Sequence, residues 1–492
     1  MDILFKKNDI SSDVALIIGV YEDLSLTKTA KKVDQLLNGG LLKALKNNGF
    51  TGKTGEIQVL IPPDSLQTKR LVCLGLGKKK AINELTACQI GAYAANALLT
   101  SGETAVEFAV DDLPAAAVGF GAKIASYRFT KHKTVFQNPV TVKDFFILTE
   151  KPQVAQNQYE PYFAIAKGIH TARDLVNEPA NIVTPIAFSK RAEELQKYGL
   201  QTEIYDEKQL KAKGLNMMLG VAQGSINPPR LVVVQWIGVP EDKNIHAVLV
   251  GKGVTFDSGG LSLKPAKGME DMKEDLAGAA TALGTLQALA MQRAKVNVAA
   301  VMAMVENMPS GTAQRPGDIV KSLLGITVEV VNTDAEGRLV LGDALCYAQE
   351  RFKAPVLIDL ASLTGAIVVA LGTDIAGLFS NDDQMAKQME KAADESGEKV
   401  WRMPLDDLFD EDIVSDIADI KNACSTRAAG SITAAMFLKR FIQPETKWAH
   451  LDIAGVALRE KNTLFGPKGA SGFGVWLLDR YIRDNLEKKN RE

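Results

Sequence analysis

The sequence predicts a two-domain α/β protein, each domain a mixed or mostly parallel sheet flanked by helices, the C-terminal domain being the larger. Three observations predict it. The chain has 492 residues, enough for two or three domains of about 150 residues each. Over the first third, short apolar runs alternate with helix-like stretches, the pattern of an α/β layer fold. From residue 230 onward the runs lengthen and become rich in β-branched residues, as buried strands of a parallel sheet require.

Taken in order, "VALIIGV", "EIQVLI" and "RLVCLGLG" are expected strands, and "AINELTACQIGAYAANALL" an expected helix, of an N-terminal domain over 1–155. The polar stretch "TEKPQVAQNQYEP" at 149–161 contains Pro and Gln and few apolar residues, which marks a linker. A helix from about 160 to 176 follows, so 156–180 is set apart as a linker helix region. Residues 181–492 form the C-terminal domain. There "RLVVVQWIG", "HAVLVGKG", "VNVAAVMAMV", "ITVEVVNTD" and "APVLIDLASLTG" read as central strands separated by helices. The acidic stretch "LDDLFDEDIVSDIAD" at 405–419 reads as a solvated helix face. No internal repeat or low-complexity tract interrupts this order.

Composition excludes several functions. The 57 basic and 59 acidic residues leave a formal charge of −2. With no long basic run, neither nucleic acid nor an anionic membrane is an expected partner; a small or peptide-like one is. Cys73, Cys88, Cys346 and Cys424 form no CxxC pair, which argues against a disulfide framework and a thiolate zinc site and suits a reducing cytoplasm. The start, "MDILFKKNDISSDVALIIGV", lacks a secretory pattern, and no apolar stretch reaches membrane-spanning length. A cytoplasmic location is expected.

The chemistry concentrates in two segments. In "NTDAEGRLVL" at 332–341, Thr333 and Glu336 have capping-box spacing, opening a helix whose apolar face is Leu341, Leu345 and Ala348. That box needs neither Asp334 nor Arg338. A strand ending at Val331, then a turn and a helix, would lie at the carboxyl edge of a parallel sheet, where open α/β folds bind ligands. In "VLVGKGVTFDSGGLSLKPAKGMEDMKEDLAGAATALG" a strand leads into Lys252, then Asp257, then Lys264 across a glycine-rich loop, with Asp275 before a small-residue helix. Singly, the lysines are read as surface residues and Asp275 as a helix cap near Leu276.

Together the segments would set Asp257, Asp275, Asp334 and Glu336 among Lys252, Lys264 and Arg338. Clustered carboxylates repel unless neutralised, and two divalent ions bridged by carboxylates neutralise them in two-metal hydrolases. Oxygen ligands without thiolates suit Mn, Mg or Zn. A lysine beside two cations has its pKa depressed and can itself become a ligand.

The segments "VGKGVTFDSGG", "SLKP", "MKED" and "NTDAEGRLVLGDAL", with "RDLVNEPANIVTP", "GSINPPRL", "LASLTGA" and "WAHLDIAG", closely resemble the signatures of the cytosolic leucyl aminopeptidase family of metallopeptidases. The resemblance covers about 165–485; the N-terminal third is compatible with that family's variable domain. It implies a metal-dependent aminopeptidase that releases Leu or other apolar N-terminal residues from peptides. It assigns Lys252, Asp257, Asp275, Asp334 and Glu336 to two divalent ions per subunit, Mn or Zn, with Asp257 and Glu336 bridging. Lys264 and Arg338 match the catalytic pair. The four histidines lie outside both segments and arginine cannot act as a base, and the resemblance supplies a bicarbonate held by Arg338 as proton acceptor. Met272, Asn332, Leu363, Gly365, Ala454 and Ala457 match substrate-binding positions. A homohexamer is implied as well. Two departures stand out: Ala277 where many relatives carry Gly, and Ala457 where some carry Met, which would widen the side-chain pocket.

Other readings compete. A metal-dependent phosphatase or nuclease could use paired carboxylates, but a lysine ligand and the lack of a basic channel stand against it. A catalytically silent binding or scaffold protein would show a broken ligand set, and none is broken. No HExxH occurs, Ser258 lacks the G-x-S-x-G frame, "GKG" is neither GxGxxG nor a Walker loop, and Cys346 sits in an expected amphipathic helix as core.

Overall fold

The computed structural model describes residues 1–488 apart from 425 and 427. It divides into two compact units, Met1–Ala166 with Lys461–Lys468, and Lys167–Glu460 with Gly469–Glu492.

The first unit holds a six-stranded sheet: β1 (Asp2–Lys6), β2 (Ala15–Tyr21), β3 (Ile57–Leu60), β4 (Arg70–Gly77), β5 (Ala105–Ala109) and β6 (Asp144–Leu148), in the order β1-β6-β5-β2-β4-β3. All pairs are parallel except β3 with β4. The apolar runs of β2 and β4 are almost wholly buried, as continuous hydrophobic strands covered on both faces should be. The expected helix is Glu84–Leu98, and glycines press it against helix Ala115–Ala125. A Cβ on Gly121 would lie 1.7 Å from the Cys88 carbonyl oxygen, so only glycine fits.

The second unit contains β7 (Gln201–Tyr205), β8 (Arg230–Ile237), β9 (Ala247–Asp257), β10 (Asn297–Asn307), β11 (Asp318–Lys321), β12 (Thr327–Val330), β13 (Val356–Ala361), β14 (Ala376–Ser380), β15 (Val400–Arg402), β16 (Ile420–Lys421) and β17 (Lys447–Asp452). Eight of them form one sheet ordered β15-β14-β17-β13-β9-β10-β8-β7. Its centre, β17-β13-β9-β10, is parallel, and antiparallel pairings of β14 on β17 and β8 on β10 flank it. One core cluster joins this sheet to the helix Gly337–Phe352 through residues such as Val250, Val301, Leu341 and Trp448.

Three sequence expectations change. The run "ITVEVVNTD" is not a central strand: only Thr327–Val330 is extended, and it lies in a separate sheet, β11-β12-β16. Its alternating burial, with Val328 and Val330 inside and Glu329 half out, suits a covered edge rather than a sheet centre. The polar stretch at 149–161 is helical from Pro152, the start of a single helix Pro152–Asn177. Proline tolerates a first helical turn and Gln, Ala and Glu propagate it, so polarity alone misled. The acidic stretch at 405–419 contains two short 3₁₀ turns, Asp407–Phe409 and Glu411–Ile413, with Asp407 and Asp410 paired to Lys439 and Arg440.

Candidate active site

The four parallel central strands end on the same side of the sheet, and they end at Asp257 (β9), Asn307 (β10), Ala361 (β13) and Asp452 (β17). This is where an open α/β sheet offers side chains to a ligand. Lys252 and Asp257 belong to one continuous strand, so both are held by the ladder rather than by a loop.

Lys252 is 2% exposed and no surface lysine. Its Nζ lies 2.7 Å from Asp275 Oδ1 and 2.8 Å from Glu336 Oε1, and it donates to the Ser362 carbonyl oxygen at 3.0 Å. Burial works against the charged amine, but Asp275, Glu336 and Asp257 outweigh it and hold its pKa above the ordinary lysine value. Removing one partner from such a buried pair costs about 3–5 kcal/mol.

Asp275 reaches this point from a 3₁₀ segment, Met269–Leu276, that leads into helix Ala277–Gln292. It does not cap that helix; Leu276 is the N-cap and no side chain bonds there. A Cβ on Gly278 would meet the Leu360 carbonyl oxygen at 2.0 Å, so this small residue lets the helix lie directly on β13. Ser362 Oγ donates to Asp275 Oδ1 at 2.9 Å, while Asp275 Oδ2 is buried without a hydrogen-bond partner among the described residues.

Lys264 forms the second cationic centre. It is partly exposed, with Nζ 2.8 Å from Asp257 Oδ2 and 2.5 Å from Asp334 Oδ1. Burial again opposes its charge and Asp257 and Glu336 outweigh it, so its pKa also stands above the ordinary value. Asp257 is pushed up to about 6 by burial and by Glu336, against the pull of the two lysines. Its Oδ1 accepts from Gly259 N and Asn307 Nδ2, both at 2.8 Å.

The expected capping box at Thr333 does not form. Thr333 Oγ1 donates to the Gly259 carbonyl oxygen at 2.6 Å and accepts from Ser262 N at 2.8 Å, tying the two charged segments together. Glu336 is the N-cap residue of helix Gly337–Phe352 by position, but its carboxylate is engaged by Lys252 instead. Asn422 closes the loop from below, accepting from Val331 N at 2.9 Å and donating to the Asn332 carbonyl oxygen at 2.7 Å.

Arg338 lies in the first turn of that helix, 8% exposed. Its Nε has no hydrogen-bond partner among the described residues. Burial draws its pKa down, partly offset by Cys424, Glu336 and Asp452 nearby.

All five carboxylate and amine positions singled out for metal, and Lys264, therefore converge. Asp257, Asp334 and Glu336 each offer an oxygen, and the three lie within 4.8 Å of one another. That oxygen set, with the unpartnered Asp275 Oδ2, fits hard divalent cations. Among the substrate-binding positions, Leu363 and Ala454 meet, since both backbone N–H groups donate to Asp452 Oδ1, at 3.1 and 3.3 Å. Met272 lies on the Asp275 3₁₀ segment, Asn332 Oδ1 accepts from Asp334 N at 2.9 Å, and Gly365 opens helix Gly365–Leu371. Ala457 is buried, whereas Leu363 and Ala454 are half-buried. Sequence reasoning missed Asn307, Ser362, Asn422 and Asp452. Ser362 and Asp452 lie within "LASLTGA" and "WAHLDIAG", which pointed to them; Asn307 and Asn422 carried no signal. Cys346 is core as read, its thiol pushed up to about 12 by burial.

Comparison with known proteins adds independent support. A sequence profile of the cytosol aminopeptidase family, catalytic domain, matches residues 170–478, and that of the family's N-terminal domain matches 17–135. A protein of Cereibacter sphaeroides named "Probable cytosol aminopeptidase" is 45% identical over 97% of this chain and 96% of its own. Among solved structures, a mutant of tomato leucine aminopeptidase superposes with a TM-score of 0.88 at 33% identity, over 99% of this chain and 97% of its own. The bottromycin maturation enzyme BotP in complex with Mn gives 0.84 at 31% identity, over 96% and 99%.

Proposed function

The chain belongs to the cytosol aminopeptidase family, and on that premise we propose that it releases Leu and other apolar N-terminal residues from peptides by a two-metal hydrolysis. It is a peptidase; the side-chain preference and the metal chemistry are the proposal. One observation carries it: two lysines, each between two carboxylates, around three oxygens that converge within 4.8 Å at a parallel-sheet edge.

Lys252, Asp257, Asp275, Asp334 and Glu336 would hold two divalent ions, Mn or Zn. Such ions supply Lewis acidity toward a water and the scissile carbonyl. The protein's part is distributed among its own side chains. Lys264, the more exposed of the two lysines, would offset the negative charge that develops on the carbonyl oxygen. Arg338 cannot take a proton, and its planar guanidinium with an unpartnered Nε suits a carboxylate-shaped anion, for which bicarbonate is our assignment. An anion there would receive the proton that the engaged carboxylates cannot. Met272, Asn332, Leu363, Gly365, Ala454 and Ala457 would surround the N-terminal residue of the substrate.

The test is release of p-nitroaniline from leucine p-nitroanilide by metal-stripped protein resupplied with Mn or Zn, beside Asp334→Ala. Metal-dependent release, lost in the variant, is the expected result; folded, refilled wild type inert toward several amino-acyl amides would defeat the reading. We extend it to a cytoplasmic homohexamer, supported by four free cysteines and by exposed apolar side chains such as Ile226, Val369 and Trp401. A light-scattering mass near that of one chain, 53.1 kDa, would remove the hexamer.

A further inference from the structure

Behind the substrate-binding loops lies a buried polar column that the proposed chemistry does not use. Asp359 and His450 stand directly opposite each other on β13 and β17, and Ala361 and Asp452 occupy the next position on the same face. His450 Nδ1 is 2.5 Å from Asp359 Oδ1, and Trp448 Nε1 donates to Asp359 Oδ2 at 2.6 Å. Asp359 Oδ1 thus accepts the hydrogen bond of the tautomer that carries its proton on Nδ1. Phe379 stacks on the imidazole at a centroid distance of 5.7 Å, and His450, Asp359 and Asp452 are all 0% exposed. Burial disfavours the charged ring, while Asp359 and Asp452 outweigh it and raise its pKa.

Asp452, itself fully buried, is where this column meets the loops beyond the strand ends. Its Oδ1 accepts from Leu363 N and Ala454 N, and its Oδ2 accepts from Thr364 Oγ1 at 2.6 Å. Thr364 Oγ1 in turn accepts from Ile367 N at 3.1 Å, capping the helix that Gly365 opens. One carboxylate therefore joins the loop after β13, which carries Leu363 and Gly365, to the loop after β17, which carries Ala454 and precedes Ala457. Past the strand ends one backbone bond, from Ile453 N to the Ala361 carbonyl oxygen at 2.8 Å, also links the two segments.

We infer that Asp452, fixed by Thr364 and backed by the buried His450–Asp359 pair, is a positioning residue that sets the width of the side-chain pocket and hence which N-terminal residue is preferred. The inference rests on the peptidase reading above. It assigns Asp452 no role at the reacting atoms. A buried carboxylate that lost a donor would let the two loops separate, and the change would be felt by the substrate side chain rather than by the scissile bond.

The experiment compares Mn-loaded wild type with Thr364→Val, Thr364→Ser and Asp452→Asn on leucine, methionine and alanine p-nitroanilides, with Mn stoichiometry measured on each protein. The expected result is a change of about fivefold in the Leu-to-Ala ratio of kcat/KM for Thr364→Val, the size one lost buried hydrogen bond produces. The change should reside in KM, return to the wild-type ratio in Thr364→Ser, and leave Mn stoichiometry intact. Asp452→Asn, nearly isosteric, should shift the ratio in the same direction. A uniform loss across the three amides, or a loss that follows reduced Mn content, overturns the inference while leaving the peptidase reading in place. Wild type inactive on all three amides defeats that reading and the inference with it.

Discussion

Asn307 joins three segments with one side chain and one carbonyl. Its Nδ2 donates to Asp257 Oδ1 at 2.8 Å and to the Thr333 carbonyl oxygen at 3.0 Å, and its own carbonyl accepts from Ser258 Oγ at 2.7 Å. Asp257 is left to Lys264 and Gly259 N if that amide is removed. A residue that orients a proposed ligand without being one typically contributes 10–100-fold to metal affinity. Asn307→Ala should therefore weaken Mn binding by roughly 10–100-fold, read by titration calorimetry. Asn307→Asp should be worse, because it sets a carboxylate against Asp257 where a donor stood. Equal affinity in wild type and Asn307→Ala would show that Gly259 and Lys264 suffice to hold Asp257.

The helix Gly337–Phe352 can set Glu336 at its N-cap and Arg338 in its opening turn beside Lys252 only because its first residue has no side chain. A Cβ on Gly337 would lie 2.6 Å from both Cε and Nζ of Lys252. A lysine end is usually free to move aside, but this one is held by Asp275, Glu336 and Ser362 at once. Gly337→Ala should fold, since alanine favours the helix, yet reduce kcat/KM on leucine p-nitroanilide by at least about tenfold, the size of one displaced charge-assisted contact of ~1.5 kcal/mol. Activity within twofold of wild type would mean that Lys252 has room elsewhere. The glycine was visible in "NTDAEGRLVL", but its reason was not, because the obstructing residue lies 85 positions away on another strand. The same limit explains what else the sequence hid. Runs such as "HAVLVGKG" and "VNVAAVMAMV" were legible as strands because burial on both faces demands continuous apolar sequence. The four carboxylates and two lysines were legible through their types and spacing. The capping-box spacing at Thr333, the competing reading of that stretch, goes unused because Thr333 and Glu336 find partners in Gly259, Ser262 and Lys252. Asn307 and Ser362 act across 50 and 110 residues of chain, so no local pattern could mark them.

At the scale of the whole chain, every proposed ligand lies in one of the two units. Lys252, Asp257, Asp275, Asp334 and Glu336 all belong to Lys167–Glu460, whereas Met1–Ala166 has its own six-stranded sheet and its own core around Leu16, Ile18 and Leu45. Ions that bind only the folded site stabilise what must unfold to release them, by about 2.7 kcal/mol for each site at a hundredfold excess over Kd. That free energy has a local entry point. The larger unit should therefore melt several degrees higher with Mn than with chelator, and the transition of the smaller unit should stay where it is, as followed by scanning calorimetry. In Asp334→Ala the Mn-dependent shift should shrink. A single transition that moves as a whole would show that the two units unfold together, so that metal binding protects the N-terminal sheet as well. Transitions indifferent to Mn in wild type would mean that the converging oxygens do not hold the ion, and the two-metal chemistry would have to be abandoned while the family membership stands.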